Sequence, residues 1–355
     1  MNLTNLGFTD NFQKQYKEFL EDKKLSHCVP ARVTLEHKHL YRVVAEDGEW
    51  LASLPGQYLY NALSKTDFPA VGDWVLVEKL PGEEKAIIHR LFTRQSKFSR
   101  KIAGTTHEEQ IVASNVNLVF LVMSCNADFN VRRLERYLIA AWDSGAKPVI
   151  VLTKADLCVD VDAYIQQAES VAFGVEIIAV NVLNATDVGS LQNMMREGVT
   201  VALMGSSGVG KSTLTNALMQ QDLMKVSGIR EDDAKGHHTT THRELVLLPT
   251  GGCLIDTPGM RELQLWENGE SITNAFSDIE ALMEQCRFRD CTHKKEPGCA
   301  VQKAVSMGEL QQNRLQSYFK LKRELAFVEQ KTQLQQKLME KRTQKKISKK
   351  ARRNS

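Results

Sequence analysis

The stretch Gly205-Ser206-Ser207-Gly208-Val209-Gly210-Lys211-Ser212-Thr213 limits what this chain can become more than any other. It fits G-x-x-x-x-G-K-[ST] without a mismatch. An apolar run over residues 199–204 precedes it and reads as a buried strand, and a helix-compatible run over 212–221 follows. Strand, glycine-rich turn and helix form the frame in which backbone N–H groups point at phosphate oxygens. The glycines permit the tight turn, Lys211 would reach β- and γ-phosphates, and the Ser212 hydroxyl would ligate Mg²⁺. A Gly-Ser turn that merely happens to carry Lys-Ser is the plain alternative, and it leaves the flanking strand and helix unexplained.

The surrounding pattern is α/β. Apolar runs at 116–123, 148–152 and 175–180 read as strands, the first of them buried on both faces. Helical spacing lies between them: Val131, Leu134, Leu138 and Ala141 share a face that Asp128 or Asn130 would cap, and further helices are expected over 161–171 and near 187–196. The second strand ends in Thr153-Lys154-Ala155-Asp156. This matches [NT]-K-x-D, in which the Asp accepts hydrogen bonds from guanine N1 and N2 while the Lys stem covers the base. After the loop come a polar stretch (227–235), then Gly236-His237-His238-Thr239-Thr240-Thr241-His242. Threonine there would offer oxygen to Mg²⁺ and γ-phosphate. Strands at 244–248 and 253–255 lead into Asp256-Thr257-Pro258-Gly259, a D-x-x-G in which Asp256 would hold the Mg²⁺ shell and the Gly259 N–H would sense γ-phosphate. All the parts of a GTPase are present, but in rotated order: base motif, phosphate loop, switch, D-x-x-G. A parallel sheet tolerates such rotation when the original termini lie close together.

At 355 residues, two or three domains are expected. Residues 1–30 read as a short helix or loose extension. Strand-like runs at 31–37, 40–45, 49–54, 73–79 and 86–91 alternate with turn signals such as Glu46-Asp47-Gly48, Pro55-Gly56 and Pro81-Gly82. Five short strands fit a small barrel, an OB-fold before an SH3-like one, with a face suited to oligonucleotides. Residues 94–101 read as a basic connector. Net charge is only +3, yet eight Lys or Arg and no acid lie between Lys341 and Arg353, which suggests an anionic partner, nucleic acid first. No apolar run approaches the roughly 20 residues that span a bilayer, and no secretory signal is visible.

Of seven cysteines, three cluster with a histidine: Cys286, Cys291, His293 and Cys299. The spacing suits one structural, tetrahedral Zn²⁺ with no position left for water. Disulfides are disfavoured in a reducing cytosol, the expected location. Beyond it, Leu310, Leu315, Tyr318, Phe319, Leu321 and Leu325 have helical spacing.

From about residue 31 to 325, the chain resembles the RsgA (YjeQ, EngC) family of circularly permuted GTPases. The likeness rests on the rotated motifs, the upstream barrel, the Cys-Cys-His-Cys cluster and the lead-in residues Arg100-Lys101, Glu109-Gln110 and Asn115. The resemblance implies an α/β circularly permuted P-loop GTPase domain (104–272) between an N-terminal OB-fold β-barrel (31–95) and a C-terminal zinc-binding α-helical domain (273–335), followed by a basic tail (336–355). It implies a monomer that binds GTP and GDP, contacts the small ribosomal subunit and its rRNA, acts in late subunit maturation, and turns over faster on the subunit. Asn181-Val182 stands where Ser-Ala is usual near guanine O6, so altered guanine affinity is expected. Met260 occupies the position where many GTPases carry a water-orienting Gln. The resemblance assigns that work to His238, whose imidazole would orient or deprotonate water near neutral pH. Two other readings are an RNA-binding scaffold with structural nucleotide and an adenine-nucleotide enzyme acting on a small molecule.

Overall fold

The computed structural model describes residues 2–37, 40–62, 64–101, 109–220, 244–256, 269–294, 296–326 and 330. After α1 (Asp10–Leu20), the strands β1 (Val29–His37), β2 (Leu40–Ala45), β3 (Gly48–Ser53), β4 (Trp74–Lys79) and β5 (Lys85–Leu91) pair in the order β1-β2-β3-β5-β4, and β4 closes on β1. Only β3 and β5 run parallel. This is the OB-fold order, closed into a five-stranded barrel. Period-two burial fills it: Ala31 and Val33, Tyr41 and Val43, Val75 and Val77, Ala86 and Ile88 all face inward. Between β3 and β4, α2 (Gly56–Asn61) starts at Pro55, where sequence suggested only a Pro-Gly turn.

The expected connector after the barrel is instead structured. Residues of β6 (Lys97–Lys101) pair antiparallel with β7 (Glu109–Ser114), and Phe98, Ile111 and Ala113 are buried. An irregularity between Phe98 and Ser99 buries both in succession, so strict alternation is lost. The α/β sheet follows: β8 (Leu118–Ser124), α3 (Val131–Ser144), β9 (Lys147–Thr153), α4 (Val161–Glu169), β10 (Glu176–Ala179), α5 (Ala185–Met194), β11 (Thr200–Met204), α6 (Lys211–Met219), β12 (Glu244–Leu247) and β13 (Cys253–Asp256). Its order is β10-β9-β8-β11-β13-β12, parallel except for β12. Strands upstream of β11 all lie on one side of it and those downstream on the other. The rotated chain order therefore leaves the sheet whole. Residues 119–123 of β8 are fully buried, each side chain contributing about 1.5–3 kcal/mol of apolar burial. Helix α3 is capped by Asn130, whose side chain accepts from the Arg133 N–H, so the cap falls to Asn130 and leaves Asp128 for other work.

The first thirty residues are not loose. Phe8, Phe12 and Phe19 of the N-terminal segment pack on Trp74 and Phe92 with ring centroids 4.7–6.1 Å apart. The guanidinium of Arg32, 1% exposed, donates to the carbonyls of Leu6, Gly72 (3.2 Å) and Asn115 (3.2 Å). One side chain thus ties the N-terminal segment, the barrel and the lead-in to the α/β sheet. Barrel and sheet also share backbone: β12 meets β1 at Leu35 and Glu244, and Arg42 pairs with Glu244 at 3.1 Å.

The chain divides into two compact units, Met1–Gln264 and Leu265–Ser355. The second contains α7 (Gly269–Ala275), α8 (Ser277–Glu284), α9 (Ala300–Met307) and α10 (residues 312–326). Leu315, Tyr318, Leu321 and Leu325 of α10 are buried, as is Leu310 just before it, while Phe319 is half-buried. Arg314 binds the Asp278 carboxylate at 2.7 and 2.8 Å, fastening α10 to α8. The basic tail lies outside the described residues.

Candidate nucleotide site and cysteine cluster

The carboxyl ends of β8, β9, β11 and β13 converge on one edge of the sheet, the place where open α/β sheets bind ligands. The phosphate-loop sequence leaves β11 there. A Cβ on Gly205 would lie 2.4 Å from the Val122 carbonyl, so only glycine permits this approach to β8. Gly210 caps α6 with φ 92°, a left-handed conformation. Buried Val209 anchors the loop in the core beneath. Lys211 curls back, its Nζ donating to the carbonyls of Gly205 (2.8 Å) and Ser206 (2.5 Å). Ser207 and Gly208 are exposed, and Ser212 and Thr213 are half-buried in the first turn of α6.

The base-motif residues meet this loop directly. The fully buried Thr153 hydroxyl donates to the Val209 carbonyl at 2.5 Å and lies 3.2 Å from the Met123 carbonyl. Lys154 adopts φ 58°, and its Nζ donates to the Gly208 carbonyl at 2.9 Å. Asp156 stands exposed in the single turn Ala155–Leu157. The Ala155 N–H reaches the Val180 carbonyl at 3.4 Å, bringing the Asn181-Val182 loop alongside. In that loop the Asn181 N–H donates to Asp187 at 2.8 Å, while its side chain accepts from the Leu183 N–H. Asp256 ends β13, which pairs with β11 through Ala202 and Ile255, so its backbone sits beside the strand end that opens the phosphate loop. Four expected positions, His238, Thr240, Gly259 and Met260, lie outside the described residues.

One participant escaped motif reading. Ser206 Oγ donates to Asp128 Oδ2 at 2.9 Å across a separation of 78 residues. Asp128 belongs to the turn between β8 and α3, which carries no recognisable signature.

In the second unit, the ligand atoms of Cys286, Cys291, His293 and Cys299 all lie within 4.8 Å of one another. Cys286 Sγ is 3.9 Å from Cys299 Sγ and 3.5 Å from His293 Nδ1, and Cys299 Sγ is 3.7 Å from that nitrogen. Tetrahedral zinc with ordinary Zn–S and Zn–N bonds requires edges of about 3.5–3.8 Å, so the donor set fits this ion. The surroundings favour the ligating forms of Cys286 and His293, whereas burial pushes the Cys291 thiol up to about 11. Burial tends to raise the Cys286 thiol, but the N–H groups of Val301 and Ala300 at the start of α9 outweigh it and hold it below its usual range. Burial lowers His293, favouring neutral imidazole, and Phe319 stacks on the ring. Glu296 organises the ligand loop by accepting from the N–H groups of Thr292 (3.0 Å) and Lys294 (2.9 Å).

The model of the family described as RsgA GTPase matches residues 91–266. A protein of Oceanobacillus iheyensis named "Small ribosomal subunit biogenesis GTPase RsgA 1" is 45% identical over 349 residues, covering 97% of this chain and 99% of that protein. The chain belongs to the RsgA GTPase family. Its enzymatic reaction is GTP hydrolysis. Another RsgA, from Lactiplantibacillus plantarum and bearing the same name with the numeral 2, is 49% identical over 296 residues, 83% of each chain. Among solved structures, YjeQ from Thermotoga maritima superposes with TM-score 0.63 at 25% identity, covering 84% of this chain and 99% of that one. The permuted GTPase YloQ, at 24% identity and TM-score 0.62 over 84% of this chain and 96% of its own, shares the fold. The sheet order of this chain fits the rotated motifs, and the closed N-terminal barrel fits the five alternating strand-like runs. Among the described residues, no helix is long and apolar enough to cross a membrane.

Proposed function

We propose that this RsgA GTPase binds the small ribosomal subunit in the cytoplasm, acts as a monomer in its late maturation, and hydrolyses GTP faster when bound there. The observation that carries this reading is the 45% identity over 97% of the chain to a relative named for small-subunit biogenesis. The direct bonds of Thr153 and Lys154 to the phosphate loop support a single cradle for base and phosphates.

In that cradle, Asp156 accepts from guanine N1 and N2, Lys154 and Thr153 support the base side, and the Asn181-Val182 loop faces O6. With the Asn181 N–H engaged by Asp187, the donor toward O6 falls to Val182. Backbone N–H groups from Gly205, Ser206, Ser207, Gly208, Val209, Gly210, Ser212 and Thr213, with the Lys211 ammonium, surround the phosphates. Ser212, Thr240 and Asp256 would hold Mg²⁺, which supplies charge neutralisation at the β- and γ-oxygens. Gly259 senses γ-phosphate, and His238 orients the attacking water and accepts its proton. Zinc on Cys286, Cys291, His293 and Cys299 is structural, and rRNA faces the barrel.

GTP turnover of the full-length protein with and without purified small subunits tests the reading. A large stimulation is expected, and unchanged turnover would overturn it. His238→Ala should lower turnover while sparing GTP binding, whereas loss of binding would assign that residue a structural role. Equal subunit affinity with GDP and with a nonhydrolysable GTP analogue would point instead to a scaffold that uses nucleotide structurally.

A further inference from the structure

Asp128 is the unexpected neighbour of the phosphate loop. The carboxylate oxygen that accepts from Ser206 Oγ at 2.9 Å also accepts from Arg133 Nη2 at 3.0 Å. Arg133, in the first turn of α3, donates to the Asp128 carbonyl as well. The turn carrying Asp128 is internally fixed: Asn126 Oδ1 accepts from the Ser124 hydroxyl (2.8 Å) and from the Asp128 N–H (3.0 Å). Arg133 Nε is buried with no hydrogen-bond partner among the described residues, so the guanidinium is held in place chiefly by its bonds to Asp128.

The position of this pair along the loop matters. Lys211 Nζ donates to the Ser206 carbonyl, and in loops of this pattern the lysine attends the β- and γ-phosphates. Ser206, and with it Asp128, therefore lies toward the γ end. A carboxylate held there opposes the added negative charge of a triphosphate more than that of a diphosphate. A guanidinium on the same oxygen offsets that repulsion. Neither residue belongs to a nucleotide-binding motif.

We propose that Asp128 and Arg133 form a charge pair that sets how strongly the pocket favours GTP over GDP. The proposal rests on reading residues 205–213 as the phosphate loop of the nucleotide site. Asp128 works against the γ-phosphate and Arg133 for it, and Ser206 links both to the backbone that wraps the phosphates. They are specificity-determining positioning residues; neither exchanges a proton nor forms a bond in the reaction.

The test measures affinities of the full-length protein for GDP and a nonhydrolysable GTP analogue, at low and high salt. Asp128→Asn keeps an acceptor for Ser206 but removes the charge. It is expected to raise the preference for the analogue over GDP by about five- to tenfold, the scale of one unit charge at close range screened by bulk water. Arg133→Gln is expected to lower that preference by a similar factor, while Arg133→Lys and Asp128→Glu, which restore charge, stay near wild type. Both shifts should shrink at 1 M salt, where screening extends to about 3 Å. Equal shifts for both nucleotides in Asp128→Asn, or salt-independent shifts, would overturn the proposal and leave Asp128 a prop for the loop. Undiminished nucleotide binding in Lys211→Ala would instead overturn the phosphate-loop reading itself.

Discussion

The nucleotide cradle and the cysteine cluster are built in opposite ways. The cradle is laid on a finished scaffold: residues 119–123, 149–152 and 201–204 beneath it are almost completely buried, and loop backbone is tied to strand ends by hydrogen bonds. The cluster has little beneath it. Residues 287–290, 292, 294, 297 and 298 of its loop are exposed, and its order comes from Glu296, from Gln302 donating to the His293 carbonyl at 2.7 Å, from a few backbone bonds such as Arg287 to Gly298, and from Phe319 and the ligands themselves. A site of the first kind holds its shape before anything binds. One of the second kind takes much of its folding energy from the ion.

That contrast is broken most directly by removing metal. Chelation of the zinc-loaded protein should raise hydrogen exchange throughout residues 286–307 while leaving nucleotide affinity within a factor of about two, since structural zinc supplies on the order of 10 kcal/mol to small metal-dependent folds. Loss of nucleotide binding on chelation would show that the two sites are not independent. Next in size, Lys211→Ala should weaken GTP binding about 10- to 100-fold, the range for losing a hydrogen bond to a charged group. Its melting temperature should barely move. Titration calorimetry with parallel thermal melts separates these outcomes.

Glu296→Ala sharpens the comparison from the other side. Its carboxylate, drawn down to about 2 first by the Thr292 hydroxyl, holds the ligand loop without touching the ion, so zinc affinity should fall about tenfold, as for other residues that orient metal ligands. Competition with a chromogenic chelator measures it. The smallest effect belongs to the barrel surface. Asp47 accepts from Lys79 at 2.5 Å and from Trp50 Nε1 at 3.3 Å, and the Lys79 bond holds it below its ordinary 3.8. Asp47→Asn should cost about 0.2–1 kcal/mol, lowering the melting temperature by roughly 2 °C or less. Because the folded value is depressed, that difference is present above the unfolded 3.8 and is lost as pH falls from there through the lower folded value.

What could be read in the sequence follows the same division. The phosphate loop, base motif and cysteine spacing are legible because each is local: backbone conformation or ion geometry fixes the interval between residues. The five barrel strands show through their alternation, and the sheet strands through continuous apolar runs. Contacts between distant segments leave no such interval. Asp128 meets Ser206 across 78 residues, Arg94 reaches the fully buried Asp73 across 21, and Arg32 reaches Asn115 across 83. Asp128, Arg94, Asp73 and Arg32, read alone, are ordinary charged side chains. The β6–β7 pair was hidden for a related reason: an irregularity between Phe98 and Ser99 buries both in succession, so strict alternation is lost.

Arg32 has a consequence for the order in which the molecule is made. The barrel's own strands are complete once Leu91 has left the ribosome, yet the Asn115 carbonyl and the sheet that shields it have still to be synthesised. Until then the guanidinium stays hydrated and the barrel's base stays open, because a cation is costly to bury without its full set of acceptors. The first domain to be translated is therefore among the last to be sealed, and its closure waits on its neighbour's birth.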